Sequence, residues 1–257
     1  MKKLEKHSLE FIHFSDVNVT DPESWKGKNI LSFDIDWAID EVIDHTIQII
    51  VKSDIKCTLF ITHESPLLDN LKGHENIELA IHPNFNKFFT KEKNEIYSSP
   101  EDVLNQLKNY LPNVNISRSH SLTNSARWLS IYKRLNIKYL SNYVMFCQSD
   151  IQPFMHINGV VELPIFFADD GYLTILENNL LSKKYMMDKI LSRSNGLKVF
   201  DFHPIHVALN TTSLQHYEST RDIHRSYNEI MDNRLKHEKE GIEDILKMII
   251  ENNEYRD

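Results

Sequence analysis

The sequence predicts an α/β protein built on parallel strands, and three observations carry that prediction. Short apolar runs alternate along the chain with segments whose apolar residues recur at spacings of three and four. Such alternation implies parallel strands joined by right-handed helical crossovers. Several of the apolar runs also end on Asp, His or Arg, and α/β folds collect their functional groups at the carboxyl edge of the sheet. An open sheet and a closed barrel both satisfy the pattern.

Residues 1 to about 28 lack periodicity and read as a lead-in segment. Residues 30–35 read as a buried strand, followed by a helix with Ile39, Val42, Ile43, Thr46, Ile47 and Ile50 on one face. Residues 57–61 are the second strand, and Ser65-Pro66 signals a helix start with Ser as cap and Pro in the first turn. Residues 77–81 are the third strand, after which His82-Pro83 suits a first helical turn that would carry Asn86 on the face of His82. Ser99-Pro100 opens a helix through about Tyr110, residues 114–118 form a fourth strand, and Asn124 is read as the cap of a helix holding Trp128 and Tyr132. A fifth strand follows at 137–141. The stretch 142–178 is the least legible, with Gly159 and Asp169-Asp170-Gly171 as turn signals. A helix near 179–193, a last strand at 197–202 and a charged helical tail at about 217–254 complete the chain.

The composition narrows the function classes. Lys and Arg number 29 against 37 Asp and Glu, a net charge of −8 that argues against a nucleic-acid backbone as the main partner. Cys57 and Cys147 are far apart in apolar runs and are expected as buried thiols of a reduced protein. No apolar run approaches the roughly 18 to 20 residues of a membrane span, and the charged start shows no signal-peptide pattern, so a cytoplasmic location is expected. Glycine spacing excludes a dinucleotide fingerprint and a phosphate loop, and no His-Glu-x-x-His zinc motif occurs.

The chemistry-bearing residues lie at strand ends. Asp34 and Asp36, two apart in Phe33-Asp34-Ile35-Asp36, can face one pocket, where two carboxylates become favourable beside a cation or when one serves as a base. His82 is a natural ligand for a divalent ion, with Asn86 as a weaker oxygen ligand. His203 ends the last strand and suits a general acid, since imidazole donates a proton at neutral pH. Arg118 either holds a catalytic carboxylate or makes an ordinary salt bridge. His120, His63 and His206 are pocket or structural residues, and Asp170 sits in what reads as a turn with a secondary site role open to it. Tyr143, Phe166, Phe167 and Tyr172 are read as sugar-stacking or core aromatics.

In this order the residues resemble the polysaccharide deacetylases, the NodB-type carbohydrate esterases. Ser32-Phe33-Asp34-Ile35-Asp36 is similar to the family's first motif in a spaced form, and Thr58-Leu59-Phe60-Ile61-Thr62 to its second strand. Ala80-Ile81-His82-Pro83-Asn84-Phe85-Asn86 stands where the His-x-x-x-His metal motif belongs, Arg118-Ser119-His120 at the arginine motif, and Val199-Phe200-Asp201-Phe202-His203 at the terminal histidine motif. The segments His82-Pro83-Asn84-Phe85, Arg118-Ser119-His120-Ser121-Leu122 and Phe202-His203-Pro204-Ile205-His206 point to a WbmS-like branch linked to surface polysaccharide synthesis.

The resemblance covers residues 28 to 210 of a single domain spanning 1–257, with the tail beyond it. It implies a distorted, incomplete (β/α) barrel of about seven parallel strands with a C-terminal helical tail. It further implies a divalent metal, commonly zinc, and removal of an acetyl group from an N-acetylated sugar. Carried over by position, Asp34 is the base, Asp36 and His82 are metal ligands, His203 is the acid and Arg118 orients Asp34. Asn86 replaces the second ligand histidine and His120 replaces a proline, which leaves His120 and His63 open as alternative ligands. Two other readings stand beside it: a different carbon–nitrogen hydrolase on the same scaffold, and a catalytically silent glycan-binding or assembly protein, which the Asn86 departure supports. Under any of the three, the charged tail is open to packing on a partner or a second copy.

Overall fold

The computed structural model describes residues 9–89, 98–234 and 240–251. Nine strands form one curled sheet: β1 (Asn29–Asp34), β2 (Cys57–Ile61), β3 (Ile77–Ile81), β4 (Ile116–Ser117), β5 (Tyr139–Leu140), β6 (Phe154–Met155), β7 (Val161–Glu162), β8 (Phe167–Ala168) and β9 (Lys198–Phe202). Their order is β6-β7-β5-β4-β3-β2-β1-β9-β8. Every pair is parallel except β6 with β7. Eight parallel strands and one antiparallel edge strand thus make the distorted, incomplete barrel, where about seven strands were expected.

The strands read as unbroken apolar runs because both faces of the sheet are buried. Leu31, Phe33, Leu59, Ile61, Phe200 and Phe202 point outward to the helices. Ile30, Phe60, Ala80, Ile116 and Val199 point inward, where Phe14 and Trp25 meet them. The lead-in segment therefore plugs the inner face; Phe14 packs edge-on against Phe60 at 5.3 Å. A plug is shaped by the cavity it fills, which explains why residues 9–28 carry no period of their own. Alternation along each strand then decides the site. Asp34 shares the parity of Ile30, His82 that of Ala80, Arg118 that of Ile116, and Asp201 that of Val199, so all four occupy the mouth of the inner face.

The helices are α1 (Asp40–Ser53), α2 (Pro66–Leu71), α3 (Pro100–Tyr110), α4 (Leu129–Arg134), α5 (Asp169–Glu177), α6 (Lys183–Leu191), α7 (Pro204–Leu209), α8 (Leu214–Ser219), α9 (Tyr227–Asn233) and α10 (Ile242–Glu251). Ser65 and Ser99 cap α2 and α3 as expected, each side chain accepting a first-turn N–H.

Three expectations are corrected. No helical turn starts at His82: the Pro83 carbonyl accepts the His120 N–H at 3.0 Å, and the first regular turn after it is a short 3₁₀ turn at Asn86–Phe88. The helix around Trp128 is capped by Ser125, through a 3₁₀ turn at Ala126–Trp128 that runs into α4, while Asn124 accepts only the Ser125 N–H. Asp169-Asp170-Gly171 is not a turn but the first turn of α5, where carboxylates complement the helix dipole.

The tail holds α9, α10 and the end of α8, with a 3₁₀ turn at Arg221–Ile223, while 235–239 and 252–254 lie outside the described residues. Ile242, Ile245, Leu246 and Ile249 of α10 are buried within the chain. Cys57 and Cys147 are buried free thiols. Among the described residues no helix is long and apolar enough to cross a membrane.

Candidate active site

Arg118 is wholly buried, and the surroundings it needs are built from three strand ends. Its Nη1 donates to Asp34 Oδ1 at 2.9 Å and to Asp201 Oδ1 at 2.5 Å, while Nε and Nη2 donate to the carbonyl and hydroxyl of Ser141 at the end of β5. The guanidinium lies over the Phe60 ring at 4.2 Å. Burial pushes the Asp201 carboxyl well up; Arg118 opposes that rise and Asp34 adds to it. One guanidinium thus serves two carboxyl groups.

Asp36 lies two residues beyond the end of β1, at φ 39°. Its Oδ1 is 3.2 Å from His82 Nε2 and 2.9 Å from His120 Nδ1. His82 Nε2 is also 3.6 Å from Asp34 Oδ2, so both aspartates reach one imidazole. Burial pushes the Asp36 carboxyl up, but hydrogen bonds from His120 and His82 and the charge of His203 outweigh it and hold the group well below the usual carboxylate range. His203 caps α7, its Nε2 3.6 Å from Asp36 Oδ2. On its other side Nδ1 meets Asp169 Oδ1 at 2.7 Å, and its backbone N–H donates to Asp169 Oδ2 at 2.7 Å. Burial alone would keep His203 neutral; the charge and hydrogen bond of Asp169, with Asp36 and Asp170 nearby, raise its pKa well above 6.5.

The donor atoms of Asp36, His82 and His120 lie within 4.8 Å of one another. One carboxylate and two imidazoles match a catalytic divalent-metal site, which keeps a position free for substrate or water. His82 Nδ1 is buried and has no hydrogen-bond partner among the described residues. Asn86 stands outside this group: its Oδ1 accepts from the Thr123 hydroxyl at 2.5 Å and its Nδ2 donates to Ser121 Oγ at 3.1 Å. The amide expected as third ligand is spent on the loop that carries His120, and the imidazole of that loop takes the place beside Asp36.

The remaining candidates divide. His206 is buried under His203, with Nδ1 3.1 Å from Thr211 Oγ1, and burial lowers its pKa to about 4. It forms with Asp169 and His203 a second group of close donors. His63 lies beside the cluster, its Nδ1 2.9 Å from Thr62 Oγ1. Asp170 is exposed and accepts the Gly171 N–H at 2.6 Å. Phe166, Phe167 and Tyr172 are core residues, whereas Tyr143 is exposed near Phe154.

Asp169 and Asp201 were missed. Asp201 carried a signal, since its parity with Val199 and Asp34 places it inside. Asp169 carried none, because two adjacent aspartates before glycine read equally as a turn. A larger cavity of about 840 Å³ lies at the opposite strand end, near Lys28, Asn29 and Lys198. The Lys198 ammonium there is spent on the Lys189, Ile190 and Ser192 carbonyls.

The half-open parallel barrel, with its acids and imidazoles gathered at the carboxyl edge, defines the polysaccharide-deacetylase class. A family model described as "WbmS-like: Polysaccharide deacetylase" matches residues 31–221, and the chain belongs to that family. It is 31% identical to WbmS of Bordetella bronchiseptica, a structure titled as a putative polysaccharide deacetylase involved in O-antigen biosynthesis; the match covers 95% of this chain and 98% of that one, with a TM-score of 0.84. A CE4-family pseudoenzyme from Bacillus anthracis is 13% identical over 85% of this chain and 67% of its own, at a TM-score of 0.39. A polysaccharide deacetylase structure from Mycobacterium smegmatis, titled as putative, is 13% identical over 74% and 80%, at 0.39. No curated protein matches.

Proposed function

We propose that the chain is a metal-dependent deacetylase that removes the acetyl group of an N-acetylated sugar during synthesis of a surface polysaccharide. The observation that carries this reading is the convergence of Asp36, His82 and His120 on one point, with Asp34 on the Arg118 side and His203 on the other. The relation to the Bordetella protein supports a precursor of an O-antigen-like glycan as substrate. The free thiols agree with a reduced, cytoplasmic setting.

Asp36, His82 and His120 would hold the cation, most simply zinc, which would polarise the acetamide carbonyl and ease ionisation of a water. Asp34 takes the proton from the attacking water, and the hydrogen bond from Arg118 Nη1 holds that carboxylate in position. His203, charged through Asp169, gives its proton to the departing sugar amine. Asp169 holds the imidazole by two hydrogen bonds, so the acid is oriented before substrate arrives.

The test is elemental analysis of purified protein together with acetate release from N-acetylated sugars. Asp36→Ala and His82→Ala are expected to lose bound metal and to cut acetate release by about 10²-fold or more. Unchanged metal content and unchanged release in both variants would remove the reading. Glycan binding with neither metal nor release would favour a silent binding protein.

A further inference from the structure

A cavity of about 420 Å³ adjoins the Asp36 cluster, with Trp37, Thr62, His63, His82 and Tyr110 in its wall. His82 belongs to both places, since its Nε2 faces Asp36 while its ring borders the cavity. The size is within the usual range for small-ligand pockets, roughly 300 to 1,000 Å³.

Trp37 is the unusual member. It follows Asp36 in a second consecutive left-handed conformation, at φ 57° after φ 39°. Bulky residues avoid that region, and such strain persists where the surroundings impose it, often at ligand sites. Here it is imposed by two hydrogen bonds, the Trp37 N–H to Thr62 Oγ1 at 3.0 Å and the Ala38 N–H to the Ile35 carbonyl at 2.7 Å. The outcome is an indole that remains 39% exposed at the rim, with its ring edge-on to His120 at 5.1 Å. Core packing does not explain an exposed tryptophan held in a strained loop. Beside it, His63 spends Nδ1 on Thr62, and its other ring nitrogen makes no hydrogen bond among the described residues.

An apolar aromatic face next to polar ring nitrogens is the chemistry that recognises a sugar ring, whose C–H face packs on the aromatic while its hydroxyls take hydrogen bonds. We propose that this cavity binds the sugar residue adjoining the one that carries the N-acetyl group, with Trp37 as stacking platform, His63 as hydroxyl partner and Thr62 as the residue that positions Trp37. The substrate is then an oligosaccharide or longer glycan rather than a free monosaccharide. The naming of the reacting sugar rests on the deacetylase reading above; the subsite itself rests on the cavity and on Trp37.

The test is calorimetric binding of N-acetylglucosamine and of its β-1,4-linked tetramer to the full chain. Trp37→Gly is the main variant, because glycine adopts positive φ freely and removes the platform without endangering the fold. Trp37→Phe retains part of the platform, and His63→Ala leaves the Trp37 loop intact. The wild type is expected to bind the tetramer about 10-fold more tightly than the monomer, as one aromatic stack would supply. Trp37→Gly loses that difference, His63→Ala reduces it and Trp37→Phe keeps part of it. A wild type without tetramer preference, or a Trp37→Gly variant that retains it, overturns the subsite. Loss of preference in Trp37→Gly when the wild type releases no acetate would instead sink the deacetylase reading and leave the subsite standing.

Discussion

Arg118 shows how one side chain organises a site. Its charge is wholly enclosed, and the two carboxyl groups on Nη1 come from different strands. Removing one partner of a buried charge network costs roughly 3–5 kcal/mol, because the carboxylates left behind stay desolvated. Arg118→Met is therefore expected to lower unfolding stability in urea by about that amount and to abolish acetate release. Adding Asp201→Asn to that variant should restore part of the stability and none of the activity. Equal stability of the single and double variants would contradict this account. Asp169 acts on His203 in a comparable way, since its charge and hydrogen bond keep the imidazole protonated. An acid must hold its proton to act, so activity falls as pH rises through the raised pKa of His203. Asp169→Asn should move that alkaline limb to lower pH and reduce kcat; a pH–rate profile with an unmoved limb would exclude His203 as the acid.

Helix α10 shows the same logic at the scale of an element. Its apolar face fills the space beside α7, the helix that His203 caps. Glu243 in its first turn is buried and gathers His45 of α1, Lys247 of its own helix and Arg234 beyond α9. Burial would raise the Glu243 carboxyl, but the hydrogen bonds from His45 and Lys247 and the charge of Arg234 bring its pKa down to about 2. The folded value lies below the unfolded value of about 4.3. The stabilisation is thus fully present above the unfolded pKa and is lost as pH falls towards 2. Glu243→Gln is expected to lower Tm at pH 6 and to flatten the fall in Tm between pH 6 and pH 3. A variant whose Tm tracks the wild type across that range would show that the clamp contributes nothing.

The whole molecule is an inner-face funnel closed at one end by the lead-in residues and open at the other. Phe14 and Trp25 plug the funnel, Phe60 and Arg118 lie above them, and the acids and imidazoles ring its mouth. A cation gripped by Asp36, His82 and His120 would bind the folded chain and not the unfolded one, so it would stabilise by mass action, by about 2.7 kcal/mol at a hundred times Kd. Zinc added to chelator-treated protein should therefore raise Tm, with the rise absent in His82→Ala. No shift in the wild type would count against the metal site without any assay of activity.

The strands β2 and β3 and the helix α3 could be placed to the residue from the chain alone, because two-residue and three-to-four-residue periods and Ser-Pro caps are local signals. The strand-end positions of Asp34, Arg118 and His203 were legible for the same reason. Short-range patterns could not show which donor stands beside Asp36. Pro83 gives its carbonyl to His120, Asn86 binds the His120 loop, and the imidazole enters the place intended for the amide. Nor could they show that Asp169 is paired with His203, or that residues 9–28 fill the barrel. Periodicity reports which face of an element is buried. Partners across dozens of residues are chosen by how the curled sheet brings those faces together.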